Sequence, residues 1–198
     1  IYFDEIGLPY TSCGAEESTL TFDKTLCNKT LKELGFLCAN SAFFQKGERI
    51  NADEITQKVG LPCFVKPNAA GSSFGISKVM KKEELEDAIQ LALQHDNKVL
   101  IEEFIDGTEV SCGIFTHKEI EVFPLTEIVS HNDFFDFEAK YKGLSDEITP
   151  ARISREETEN VQKITKEVYQ KLGLKGIVRI DYIIMKAKPY LIEINRSE

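Results

Sequence analysis

Two runs near the C-terminal end, about 175–185 and 189–195, constrain the fold most. In both, polar side chains alternate with apolar ones: Val178-Arg179-Ile180-Asp181 in the first, Glu193-Ile194-Asn195 in the second. A period of two is the signature of strands, and the short gap between the runs predicts a hairpin. Arg179 and Asp181 then share one face, as do Glu193 and Asn195. Paired strands would let Asp181, Glu193 and Asn195 converge on one cation. Three hard oxygen donors with positions left open suit Mg²⁺ held jointly with phosphate oxygens. A guanidinium beside them suits a developing oxyanion. The plainer alternative is a solvent-facing sheet with one ion pair. Apolar residues flank the polar ones on both strands, so a polar face set among them needs a reason, and the plainer reading is set aside.

Upstream, residues 1–21 read as a linker or strand rich in turn formers. From Asp23 to about Leu34 the pattern is helical, with Cys27, Thr30, Leu31 and Leu34 on one stripe and Gly35 as the stop. A short helix is predicted over 51–59. A strand over 61–65 runs into Pro67, a small-residue loop follows (68–75), and a strand resumes over 76–80. The spacing predicts an amphipathic helix over 82–95 with Leu85, Ala88, Ile89 and Ala92 on one face. Strands are predicted over 99–104, 108–115, 119–123 and 125–129, then an irregular loop over 130–150. Ser154 and Glu157 form a capping box for a helix to about Leu172, whose buried face is Val161, Ile164, Val168 and Leu172. This order of elements is α+β with largely antiparallel sheets.

Three further stretches could carry chemistry. Lys66 ends a buried strand just before the loop Asn68–Gly75, where Ser72, Ser73 and main-chain N–H groups could cradle a phosphate. Taken alone, an ordinary mobile hairpin explains this about equally well, and the loop lacks the GKS/T ending of a Walker A motif. The run Glu102-Glu103-Phe104-Ile105, followed by Asp106-Gly107-Thr108-Glu109, could offer main-chain groups to an adenine edge, apolar packing to its faces and a carboxylate to ribose hydroxyls. In isolation, a strand end with exposed acids is the better reading. Within the long loop, Phe134 to Tyr141 places Lys140 and Tyr141 where they could close over a reactive intermediate. The same residues could simply fix the loop to the body.

Composition narrows the partners. The formal net charge of -9 over 198 residues argues against nucleic acid or an anionic membrane as the main partner. The five cysteines include no CxxC pair and read as small packing residues of a reducing cytoplasm, not as zinc ligands. No apolar run approaches membrane-spanning length and no signal peptide opens the chain. Both ends read as cuts in a longer protein.

Taken together and in order, these strings resemble the ATP-grasp superfamily and, within it, the D-alanine–D-alanine ligase family. The resemblance rests on Leu8-Pro9-Tyr10-Thr11, Asp23-Lys24, VKPNAAGSSFG at 65–75, IEEFIDGTEV at 101–110, FEAKY at 137–141, RID at 179–181 and EIN at 193–195. It implies an ATP-grasp fold in which 1–21 is a linker from a missing N-terminal domain. Residues 22–103 would form a central subdomain with the phosphate loop, and 104–198 a C-terminal subdomain with the omega loop and metal site. It further implies that Lys24 and Lys66 contact ATP phosphates, that Glu102, Glu103, Phe104 and Ile105 hold adenine, and that Glu109 holds ribose. Lys140 would reach the terminal phosphates. Asp181, Glu193 and Asn195 would hold two magnesium ions (manganese being an alternative), with Glu193 bridging them. Arg179 would stabilise the tetrahedral intermediate, while Ser72 and Tyr141 would link loop closure to the substrate side. The implied substrates are ATP and D-alanine, the implied location the cytoplasm and the implied assembly a homodimer. Three departures stand out. The family's N-terminal domain is absent. The chain reads Arg196-Ser197-Glu198 where the family continues toward the second D-alanine pocket. Glu103 stands where some relatives have Lys.

Overall fold

The computed structural model describes residues 2–70, 74–130 and 145–196. Along the chain run helices α1 (Tyr2–Glu5), α2 (Ala15–Phe22) and α3 (Lys24–Glu33), then β1 (Ser41–Gln45), α4 (Ala52–Val59), β2 (Cys63–Pro67), β3 (Ser77–Val79), α5 (Leu85–Ala92) and β4 (Lys98–Glu103). The second half contributes β5 (Thr108–Thr116), β6 (Ile120–Ser130), β7 (Ser145–Ile148), α6 (Arg155–Lys171), β8 (Val178–Met185) and β9 (Lys188–Arg196). They form two sheets, β1-β4-β2-β3 and β7-β6-β5-β8-β9. Every strand pairing in both is antiparallel, as the element order predicts.

Alternation builds each sheet. Cys63, Val65, Val99 and Ile101 turn one way and bury with the apolar face of α5, Leu85, Ala88, Ile89 and Ala92. Phe64, Lys66, Leu100 and Glu102 turn the other way, into a cleft. In the five-stranded sheet, Val110, Cys112, Val178, Ile180 and Tyr182 pack under α6 through Val161, Val168 and Tyr169. Ser154 and Glu157 cap α6 reciprocally, as the sequence predicts. Its buried face differs by a few residues: Thr165 and Tyr169 are buried, the Thr165 hydroxyl bonding that of Tyr182 at 2.9 Å inside the core and the Tyr169 hydroxyl donating to the Gly176 carbonyl at 2.8 Å.

Four local readings are corrected. Residues 15–22 are helical, not linker or strand. The Thr19 and Thr21 hydroxyls donate back to the Ala15 and Glu17 carbonyls, satisfying inside the helix the groups that suggested turns. Leu34 is exposed, and buried Asn28 takes part in the inner face of α3 instead. The strands predicted over 119–123 and 125–129 are one strand, β6. Phe123 and Pro124 together oppose the single Gly113 in a β-bulge, so the proline leaves no gap in the ladder. A Cβ on Gly113 would meet the Phe123 ring at 2.7 Å, so only glycine lets that ring close over the bulge. Lastly, the loop predicted over 130–150 contains the edge strand β7, paired to β6.

Candidate functional site

The two sheets meet around a cleft of about 810 Å³ lined from both. On the five-stranded side, β8 and β9 pair with Asp181 directly opposite Glu193 and Arg179 opposite Asn195. The hairpin pairing predicted from the two alternating runs is therefore met, and Asp181, Glu193 and Asn195 line one cleft. It depends on a feature that strict alternation does not supply. The register slips between Asp181 and Tyr182, leaving Ile192 as an extra residue on β9. Leu191 and Ile194 are both buried although three positions apart. The bulge shifts the phase of β9, so Glu193 and Asn195 look into the cleft while both apolar neighbours stay in the core.

Asp181 is the hub of this face. Its Oδ1 accepts from Ser111 Oγ (2.7 Å) and Arg179 Nε (2.9 Å), and its Oδ2 accepts from Asn195 Nδ2 (2.8 Å) and the Arg179 guanidinium (3.1 Å). Burial pushes the carboxyl above its ordinary value, although Arg179 and the Ser111 bond pull the other way. Burial works most strongly against the Arg179 cation, but the charge and hydrogen bonds of Asp181, together with the charges of Glu193 and Glu147, outweigh it, so the guanidinium is held above its usual range. Among the described residues no three His, Cys, Asp or Glu side chains gather to enclose a metal. What is present is two carboxylates and one amide in register. Such an incomplete set of oxygen donors fits a hard divalent cation that completes its shell with water and phosphate oxygens.

Across the cleft, Lys66 Nζ bonds Glu102 Oε2 at 2.7 Å, with both side chains largely out of water. Burial opposes the Lys66 charge most strongly, but the charge and hydrogen bond of Glu102, with the charges of Glu193 and Glu109, together overcome it, so the ammonium is held above its usual value. Lys24 bridges the two sides: its ammonium donates to the Ala70 carbonyl (2.9 Å) and lies 3.2 Å from Glu193. Lys24 owes this position to Asn68, which the sequence did not single out. Asn68 is 2% exposed; its carbonyl accepts from Lys24 N–H and its side chain from Thr25 N–H, pinning the start of α3 to the end of β2.

The hinge between the sheets supplies an apolar wall. Ile105 is buried, and the Phe104 ring lies 5.9 Å from that of Phe64, with Lys78 Nζ 4.4 Å above its centroid. The Glu103 carboxylate accepts from Asn40 N–H and the Phe104 N–H donates to Pro62, which fixes this edge. A Cβ on Gly107 would run into the Ile184 carbonyl, so the turn into β5 needs glycine there. Glu109 lines the same cleft. Cys27 and Cys38 also line it, yet burial pushes both thiols up to about 12, which makes them poor nucleophiles. The predicted site residues Ser72, Ser73, Lys140 and Tyr141 lie outside the described residues. Ser111, Asn68 and Lys78 were missed by sequence reasoning. Only Ser111 left a signal, as a polar position on the Glu109 face of a strand with a buried opposite face.

The D-ala D-ala ligase C-terminus family model matches residues 30–197. The chain is 54% identical over 195 residues to a D-alanine–D-alanine ligase of Flavobacterium johnsoniae, covering 98% of this chain and 60% of that protein. It is 52% identical over 198 residues to that of Parabacteroides distasonis, again covering 60% of the relative. The chain therefore spans about 60% of the length of these relatives. Among solved structures it is similar to the VanG D-Ala:D-Ser ligase of Enterococcus faecalis (34% identity, TM-score 0.84, 98% of this chain and 57% of that one). A D-alanine–D-alanine ligase of Bacillus anthracis complexed with ATP is also similar (27% identity, TM-score 0.83, covering 98% and 61%). These neighbours carry the ATP-grasp fold expected from the motifs.

Proposed function

The chain belongs to the D-Ala–D-Ala ligase C-terminus family, and we propose that it forms the ATP- and magnesium-binding part of a D-alanine–D-alanine ligase serving peptidoglycan synthesis in the cytoplasm, as a homodimer. Its two parts are the subdomains 22–103 and 104–198, after a linker over 1–21. The observation that carries this reading is the cleft itself. Asp181, Glu193, Asn195 and Arg179 line one wall, and the Lys66–Glu102 pair with Phe104 and Ile105 lines the other.

In this reading adenine lies against Phe104 and Ile105 beside Glu102 and Glu103, and ribose meets Glu109. Lys24 and Lys66 turn from Glu193 and Glu102 toward the phosphates, joined by Ser72, Ser73 and Lys140. Asp181, Glu193 and Asn195 hold magnesium, which when bound offsets charge on the transferring phosphoryl group. The carboxylate of one D-alanine attacks the terminal phosphorus of ATP and ADP leaves, giving an acylphosphate. The amine of a second D-alanine then attacks the acyl carbon, and phosphate leaves as the peptide bond forms. Arg179 donates to the oxyanion of the tetrahedral intermediate. Ser72 and Tyr141 couple closure of their segments to the substrate side, excluding water from the acylphosphate.

The deciding experiment is phosphate release from ATP by the full-length protein with D-alanine, D-serine, D-lactate or L-alanine. Release stimulated most by D-alanine, with D-alanyl-D-alanine as product, is expected. Preference for D-serine or D-lactate as the second substrate would move the protein to a sister specificity. The 198-residue chain alone is expected to bind magnesium-ATP and turn over little. Robust D-alanine-dependent release by it would overturn that expectation.

A further inference from the structure

From Asn28, on the cleft wall beside the Lys66–Glu102 pair, runs a chain of largely buried hydrogen bonds that no cleft chemistry requires. Lys32 Nζ donates to Ser41 Oγ (2.9 Å), Ser41 Oγ donates to Asn28 Oδ1 (3.1 Å), and Asn28 Nδ2 donates to Glu102 Oε1 (3.3 Å). Glu102 Oε2 then takes the Lys66 ammonium at 2.7 Å. Ser41, Asn28 and Glu102 are 5%, 7% and 6% exposed. Each bond has one sense. Turning the Asn28 amide over would aim its carbonyl at the Glu102 carboxylate and its NH₂ at a hydroxyl already occupied by an ammonium. The sense is therefore fixed from a cation at one end to a cation at the other.

We propose that Asn28 and Ser41, backed by Lys32, are positioning residues that set how readily Lys66 can be drawn from Glu102 to a nucleotide phosphate. The proposal rests on the reading of Lys66 as a phosphate ligand. The physical argument concerns the acid. A carboxylate with one partner would hold Lys66 as its sole counter-charge in a water-poor place. With Asn28 donating to the other oxygen, part of the Glu102 charge is met there, and Lys66 can be shared at lower cost. Lys32 is an exposed residue overall, yet burial of its ammonium pulls it below its usual value, in keeping with a head group turned inward.

The placement reaches further than one lysine. Asn28 stands one helical turn after Lys24 on α3, and Ser41 is the cross-strand partner of Glu102 between β1 and β4. The helix that carries Lys24 to the cleft thus also carries the donor to Glu102. Neither Asn28 nor Ser41 touches the reacting atoms, so the expected effect lies on nucleotide affinity and not on turnover.

The test uses the full-length protein with magnesium-ATP as the probe. Asn28→Leu keeps the side-chain shape and favours helix while removing both of its hydrogen bonds; Ser41→Ala removes the link to Lys32. The expected results are KM for ATP raised about ten-fold in the first and about three-fold in the second, with kcat within about two-fold. On a Lys66→Ala background both effects should collapse toward one-fold, because the relay acts through Lys66. A purely structural role would instead add its penalty on either background and lower the melting temperature in proportion. Additive effects, or unchanged KM in both single variants while Lys66→Ala weakens ATP, would overturn the relay alone. An unchanged KM in Lys66→Ala itself would overturn the assignment of Lys66, and the relay with it. Should Asn28→Leu fail to fold, the Ser41→Ala cycle decides alone.

Discussion

The two walls of the cleft hold their charges in different ways. On the five-stranded wall, Asp181, Glu193, Asn195 and Arg179 stand on adjacent antiparallel strands, and strand register alone brings them together. Asp181 accepts four hydrogen bonds from three side chains, so no one partner is indispensable to it. On the four-stranded wall, Glu102 has one short ion pair to Lys66 and one long bond to Asn28. Its geometry depends on α3, β1 and β2 at once. The first arrangement is redundant and rigid; the second is minimal and leaves a lysine that a ligand can compete for.

The largest expected effect breaks the rigid wall chemically while leaving it folded. Glu193→Gln in the full-length protein should cut D-alanine-dependent turnover by roughly two to three orders of magnitude, with ATP affinity changed only a few-fold. Gln keeps the shape but removes the charge a hard cation prefers. Turnover within a few-fold of the parent would return residues 179–195 to an ordinary sheet face. Next comes stability. Lys66→Ala strands a buried carboxylate and should cost on the order of 3 kcal/mol in denaturant unfolding. Arg179→Ala leaves Asp181 with Ser111 and Asn195 and should cost about 1 kcal/mol. Equal losses would erase the contrast between the walls.

Smaller still, Ser154→Ala should destabilise by about 1 kcal/mol through the lost cap of α6. It lies behind the five-stranded wall, so ATP affinity should not move. The smallest effect concerns Glu127 and Arg152, whose bidentate bonds hold the Glu127 carboxyl below its ordinary value of 4.5. A carboxyl depressed in the folded state contributes stability above about pH 4.5 that is lost as pH falls through its folded value. Arg152 is 61% exposed, so the contribution is weak. Acid titration of Glu127→Gln should show a slightly flatter decline below pH 4.5 than the parent, and the same slope would remove Glu127 from the acid response.

The contrast also explains what could be read from the sequence. The β8–β9 site was legible because period two is a local signal, and Arg179, Asp181, Glu193 and Asn195 lie within seventeen residues of one another. The amphipathic α5 and the α6 cap were legible for the same reason. The bond from Asn28 to Glu102 spans 74 residues, and no local pattern marks two ends that only α3 packing brings together. Helix α2 was missed because its hydroxyl-rich residues satisfy themselves internally, and β6 was divided because a bulge hides the cost of Pro124. Charged β7 lacks the apolar alternation by which strands are recognised.

One consequence of the extra residue on β9 concerns inheritance rather than geometry. Ile192 acts on the sheet as a frame insertion acts on a message: everything after it is read one step out of phase with everything before. Point substitutions at Ile192 that stay apolar should be nearly silent. Straightening the ladder with Ile192 kept would be the lesion, swinging Glu193 and Asn195 toward the core and Ile194 into the cleft, whereas deleting Ile192 would leave Asp181 opposite Glu193 and Tyr182 opposite Leu191 as they are. The site therefore needs the bulge only because Ile192 is there, and a segment one residue shorter at this point would present the same face to the cleft.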